Sequence, residues 1–422
     1  MTDTNAAYEY GTDANTALLA RETSELLAFG RNFPAPNGGS GWLDATGQLD
    51  PSHGVETWIT SRMAHVYSLG HLYGVPGCEE LVDKALAGLT GPLHDDKNGG
   101  WHPGVDVDGN PTPGKICYAH AFVILAATSA TLIGRPGAKE LLDEALATYD
   151  AHFWDEEQGL AVDTWNTEFT ELDPYRGLNA NMHTVEAFLA VADVTGREDY
   201  RVRAGRIIDH VIGWASHNEW RIPEHFHADW SLDLECNADK PDDQFKPYGA
   251  TPGHGIEWAR LITQWALSTF KNDEAGRKPY VDAAEQLFNR AVADAWNRNG
   301  TIGLAYTTDW KGEPVVTDRM HWTLAEAVNT SATLAKVTGK AEYRDWYQTF
   351  WQYVDEYVID HEHGSWFHQL DKDNHVIGTV WPGKSDLYHA TQATLIPRLD
   401  PAVSVAPALK ADASVRVSKD AA

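Results

Sequence analysis

A chain of 422 residues, 43% of them hydrophobic, can bury a large core, and its length suggests two or three domains unless one large repeat structure accounts for it. The net charge of −28, with no block of Lys and Arg, excludes nucleic acid and anionic membrane surfaces as partners. Three cysteines, Cys78, Cys117 and Cys236, odd in number and without metal-ligand spacing, exclude a disulfide framework.

From the N-terminus, the polar and acidic run MTDTNAAYEYGTDANT lacks the basic and apolar parts of a signal peptide. No apolar run reaches membrane-spanning length, so a cytoplasmic location is expected. Apolar periodicity predicts twelve helices, near 14–28, 57–72, 77–90, 117–133, 137–152, 179–195, 198–215, 252–270, 277–297, 320–337, 341–358 and 385–397. A helix-closing glycine phrase recurs at Gly74, Gly134, Gly196, Gly276 and Gly339. The one long step in this repeat contains the polar stretch 217–248, read as an inserted loop. A second phrase, acidic or amide residues before glycine and then aromatics, follows His94, Trp154, Trp296 and His361. It predicts tight turns that open short strands.

The helices alternate in character. Those at 117–133 and 179–195 are rich in Ala and Leu with few charges, whereas 137–152 and 198–215 are amphipathic. A helix apolar all round must be buried, so the two kinds form inner and outer layers. Twelve helices in six hairpins make an all-α fold, an (α/α)6 barrel with short β-hairpins and loops over one mouth. The expected organisation is a single catalytic domain over 1–400 and a flexible C-terminal tail over 401–422. An open α-solenoid is the alternative, and it would need polar caps and an extended concave face.

Inner helices of such a ring all run the same way, so their N-termini share one mouth. The residues at those starts are Trp58, Arg62 and His65; Tyr118 and His120; Asn179 and His183; His254 and Glu257; His321 and Trp322; Asp386 and His389. Converging N-termini bring partial positive charge and free N–H groups, which stabilise a developing oxyanion. Histidine suits proton transfer near neutral pH. Glu257, three residues after His254 on one helix, is placed to pair with that ring and raise its basicity. A glycosidase would want two flanking carboxylates; Glu257 and Asp386 are available, but histidines outnumber acids. His225 with His227, and His361 with His363, lack a third convergent ligand, so no metal is expected. No phosphate-cradling glycine loop is present, so no nucleotide or redox cofactor is expected.

Three segments, Tyr175 to Phe188, Tyr248 to Arg260 and Lys384 to His389, resemble the N-acylglucosamine 2-epimerase superfamily, above all its mannose isomerase and sulfoquinovose isomerase branch. The resemblance runs from about Trp58 to Arg398. It implies an (α/α)6 barrel that interconverts an aldose and its ketose without metal or other cofactor. His254 falls on the histidine that serves ring opening, and His389 on the one that moves a proton between C2 and C1 through an enediol. Arg62, Asn179, His183, Glu257 and Trp322 fall on substrate-pocket positions, and Glu326 where a carboxylate orients the second histidine. Trp58, Tyr118, His368 and Trp381 complete the expected substrate-binding set. His368 stands where a sulfoquinovose isomerase has Gln, and Gln244 at a loop position that is cationic there. The pair D-mannose and D-fructose therefore leads, with D-lyxose and D-xylulose beside it. A sulfoquinovose isomerase, a sugar 2-epimerase and a non-catalytic sugar-binding barrel remain as alternatives. Trp322 as plain core and His183 as a structural partner of Glu186 stay open as well. The expected partner is a monosaccharide, with homo-oligomerisation left open.

Overall fold

The computed structural model describes residues 4–299 and 301–417. Its helices are α1 (Asp13–Phe29), α2 (Thr57–Tyr73), α3 (Cys78–Leu89), α4 (Cys117–Leu132), α5 (Ala138–His152), α6 (Leu178–Thr195) and α7 (Glu198–His217). They continue with α8 (Pro252–Thr269), α9 (Glu274–Ala295), α10 (His321–Thr338), α11 (Ala341–Tyr353), α12 (Tyr388–Leu395) and α13 (Val405–Ala411).

Composition decides the layer of each helix. In α4 every residue from Cys117 to Ala130 except Tyr118 is buried. In α7 burial is confined to one stripe, with Tyr200, Ala204, Ile207, Ile208, Val211 and Ala215 at helical spacing. The helices α2, α4, α6, α8, α10 and α12 pack each on the next, and α12 also packs on α2, so the ring closes. Around them α3, α5, α7, α9 and α11 each back the inner helix before them, and α1 backs α12. Closure rules out the open solenoid. Gly74 and Gly196 end inner helices in the left-handed conformation that L side chains rarely adopt, which is why the glycine phrase marks the repeat.

At the mouth, short antiparallel pairs steer the chain into the inner helices. Val55–Glu56 pairs with Gly104–Val105, Lys115–Ile116 with Thr164–Trp165, and Arg176–Gly177 with His225–Phe226. Ala250 bridges to Thr308, and Arg319–Met320 pairs with Gln369–Leu370. Five of the six inner starts, those of α2, α4, α6, α8 and α10, are thereby tied to a loop of another unit. The expected turns are present too, as bridges His94 to Trp101, Trp296 to Leu304 and Ile359 to Trp366, and as the pair Trp154–Asp155 with Leu160–Ala161.

The expected flexible tail is corrected over its described part. Residues 405–411 form α13, which packs on α2 and α6 at the end of the barrel away from the mouth. Ala406, Ala408, Leu409 and Val415 are buried there, Ser404 donates to Asp193, and the Val417 N–H donates to the Tyr73 carbonyl at 2.9 Å. Ala406, Ala408 and Leu409 are spaced as a short apolar face. Residues 418–422 lie outside the described residues. Among the described residues no helix is long and apolar enough to cross a membrane.

Candidate active site

The inner-helix N-termini surround a narrow pocket at the mouth of the barrel. Arg62 enters from α2, Tyr118 from α4, Asn179 and His183 from α6, His254 and Glu257 from α8, His321 and Trp322 from α10, and His389 from α12. Asp386 and Trp381 arrive on the segment before α12. The inserted loop contributes Gln244, Phe245 and Pro247 as a cover, with the Gln244 amide donating to the Val380 carbonyl at 3.3 Å.

Two histidines, His254 and His389, line this pocket, and the Trp322 ring contacts both. Its ring centroid is 5.0 Å from that of His254 and 5.8 Å from that of His389. His389 Nδ1 is 3.0 Å from Glu326 Oε1, and Arg260 Nε donates to Glu326 Oε2 at 2.8 Å. With Nδ1–H given to the carboxylate, Nε2 is the bare nitrogen. Burial, aided by the Arg62 charge, holds the His389 ring well below its ordinary pKa of 6.5, so it is a neutral base at pH 7.

Glu257 and Glu326 share this floor, both fully buried. Burial and the neighbouring Glu326 push the Glu257 carboxyl well above its usual range. Neither oxygen of Glu257 has a hydrogen-bond partner, whereas Glu326 is held by His389, Arg260 and Asn329. Of the pair, Glu257 therefore keeps the proton. Arg62 forms an ion pair with Asp386, donates to Tyr118 Oη at 2.7 Å and stacks 4.3 Å from the Phe122 ring centre. Its charge is thus matched within the protein.

Arg62, Tyr118, Asn179, His183, His254, Glu257, Trp322, Trp381 and His389, all singled out in the sequence, line the pocket. Trp322 is only half-buried, at the pocket wall rather than in the core. His183 does both things considered for it: it lines the pocket and has Nδ1 3.5 Å from Glu186 Oε2, with burial pushing the ring down to about 4.

Other expectations are corrected. Trp58 stands behind the wall, edge-on to Phe245 and Trp381. His368 does not reach the pocket; it stacks on the outer side of His321 at 4.2 Å, with Nε2 3.2 Å from the Asp386 carbonyl. Glu326 is beneath the pocket, acting through His389 and Arg260. His65 turns to a separate cavity, also lined by Ser404 and Ala406, and His120 is spent on the Ile116 carbonyl and the Trp101 N–H. The expected pairing of His254 with Glu257 is not formed. His254 Nδ1 is instead 3.0 Å from Glu224 Oε2, while Glu257 points toward Arg260, 3.6 Å from its Nη2. Glu224, Phe245, Pro247 and Tyr306 are site residues that periodicity does not reveal, because all lie between helices.

Metal-type ligand atoms do converge here, contrary to the reading from spacing alone. His183, Glu186 and Glu257 form one group within 4.8 Å, and Glu257, Glu326 and His389 another. Arg260 already supplies positive charge to Glu257 and Glu326, so a divalent ion would have to displace or repel a buried guanidinium.

Residues 38–393 match the family model of N-acylglucosamine 2-epimerase (GlcNAc 2-epimerase). The chain belongs to the N-acylglucosamine 2-epimerase family. Within it, a D-mannose isomerase of Pseudomonas cannabina pv. alisalensis is 42% identical, over 93% of this chain and 94% of the relative. A D-mannose isomerase of Thermobifida fusca is also 42% identical, over 94% and 97%. A crystal structure of a D-mannose isomerase superposes with a TM-score of 0.84 at 26% identity, over 90% of this chain and 97% of that one. A cellobiose 2-epimerase from Spirochaeta thermophila shares the fold, with a TM-score of 0.77 at 20% identity over 91% and 97%. This family member is an isomerase of the mannose isomerase branch.

Proposed function

We propose that this isomerase interconverts D-mannose and D-fructose, and D-lyxose and D-xylulose of the same C2 configuration, without a metal ion. The observation that carries the reading is the neutral His389 ring, anchored through Nδ1 on Glu326, with its bare Nε2 free for substrate.

The chemistry follows in order. His254 serves the hemiacetal, moving a proton from the C1 hydroxyl to the ring oxygen so that the sugar opens to an aldehyde. His389 then takes the proton from C2. Protonated Glu257 gives its proton to O1 and later takes one from O2, passing through the enediol. His389 returns the carried proton to C1, leaving a carbonyl at C2. Proton removal and return occur on one face of a planar enediol, so a single base completes the isomerisation. The converging helix N-termini stabilise the oxyanion during transfer. Trp322 offers an apolar face to the sugar C–H bonds.

Two features argue for a neutral sugar over a sulfonated one. The Arg62 charge is matched by Asp386, and the covering loop presents the uncharged Gln244. A sulfonate is held best by cations left unmatched. Metal independence is supported by Arg260, which occupies the electrostatic place of a cation.

The test is incubation of chelator-dialysed protein with D-mannose. Fructose is expected as the main product, at a rate that chelation leaves unchanged. Both His254→Ala and His389→Ala are expected to lower kcat by about 10²-fold or more while circular dichroism stays the same. Glucose as the dominant early product, or activity that disappears with chelator and returns with a divalent ion, would overturn the proposal.

A further inference from the structure

Beneath the covering loop, the segment after α7 turns back through Ile222 and Pro223 and sets Glu224 against α8. The backbone there is fixed on both sides. The Glu224 carbonyl accepts from the Leu178 N–H at 3.1 Å, and the next residue, His225, pairs with Gly177. The residue is 4% exposed. Oε2 lies 3.0 Å from His254 Nδ1, and Oε1 has no hydrogen-bond partner. No Lys or Arg forms an ion pair with this carboxylate among the described residues. A carboxylate this deep is costly unless a donor meets it, and the donor that does is the His254 ring.

The second histidine of the site is backed differently. Its carboxylate, Glu326, is shared with Arg260, so part of its charge is already compensated. Glu224 has no such competitor and acts on His254 alone. On the ring's other side, Trp322 packs at 33° to the imidazole plane and limits its rotation.

We propose that Glu224 is the positioning residue of His254. It holds the ring in the tautomer with Nδ1 protonated and Nε2 bare toward the sugar oxygens, and it stabilises the imidazolium formed when Nε2 takes the hemiacetal proton. The Nδ1–H stays with His254 throughout; the proton that moves goes from the C1 hydroxyl to Nε2 and from Nε2 to the ring oxygen. The inference rests on the reading of His254 as the ring-opening group. It assigns the two histidines to different work: one carries a transient charge in ring opening, the other abstracts a proton from carbon as a neutral base.

The experiment combines one spectroscopic and one kinetic readout on the full chain. In protein labelled with ¹⁵N-histidine, His254 is expected as a single tautomer with the proton on Nδ1. Glu224→Gln, whose amide can either donate or accept, is expected to lose that single tautomer. Its kcat should fall by about 10²-fold or more with KM within about threefold, since a wrong tautomer disables a general base without removing it. The acid limb of the pH profile should move to lower pH, and enzyme-accelerated mutarotation of mannose should fall with kcat. Glu224→Asp, which keeps the charge, should recover about tenfold of the loss. Unchanged tautomer, kcat and pH profile in Glu224→Gln, with His254→Ala inactive, would overturn this inference and leave the proposed function standing. A kcat loss that only tracks loss of folded protein would reduce Glu224 to an anchor of the loop and overturn it as well. Full turnover in His254→Ala would overturn the ring-opening reading itself.

Discussion

Glu22, on the inward face of α1, is 3% exposed and accepts a hydrogen bond from Trp366 Nε1 at 2.8 Å. Burial lifts its carboxyl from 4.5 to about 7. The folded protein therefore keeps this proton up to about pH 7, while the unfolded chain releases it near 4.5. Stability falls as pH rises through that window and stays lower above it. Glu22→Gln keeps an acceptor for Trp366 without the charge. It is expected to raise unfolding stability at pH 8 by up to about 3 kcal/mol and to add nothing below pH 4.5; equal gains at both pH values in denaturant titrations would refute the assignment. The site residues divide by the same logic of what surrounds them. His254 and His389 were legible because each stands at the start of a periodic helix, where all inner helices point at one mouth. Glu257 was legible as a site residue but not as to its partner. Spacing of three residues puts it on the face of His254, yet buried Arg260 draws it away. Glu224 left no local signal, since a loop carries it to the site from 30 residues before His254.

Among elements, the twelve barrel helices were readable from apolar periodicity, with closing glycines beside it at Gly74, Gly134, Gly196 and Gly339; Gly276, expected to close a helix, instead lies in the first turn of α9, and α8 ends at Thr269 without a glycine. The last of the twelve was placed too early. Asp386 Oδ1 accepts from the Tyr388 N–H, so the chain turns before the helix begins at Tyr388. The two-residue strands escaped exact placement because their partners are loops of other units. The C-terminal segment misled through composition: its apolar residues are few, and only the barrel end gives them something to cover. Leu409, 0% exposed, is the anchor of α13. Leu409→Ala is expected to cost about 2–5 kcal/mol, the range for removing a buried leucine side chain. A change within 0.5 kcal/mol in denaturant unfolding would mean that α13 contributes little to the folded state.

Across the whole molecule, the repeat made the ring legible, and closure depends on its two ends. The first helix, α1, backs α12, with Thr23 Oγ1 donating to Thr394 Oγ1 at 2.8 Å inside the core. Each hairpin buries its apolar face only against neighbours, so we propose that the barrel folds as one unit. No cut between residues 1 and 398 is expected to yield a half that folds alone. A protease-resistant half-barrel, stable when expressed separately, would contradict this. The barrel's one mouth gathers the residues of the proposed chemistry, whose central claim is one shuttling base. Its most direct measurement starts from mannose deuterated at C2 and follows the label by NMR into the product. Deuterium is expected at C1 of fructose, diluted by exchange with solvent, as His389 carries it across one face of the enediol. Deuterium wholly lost to solvent while glucose forms as the main product would contradict the account.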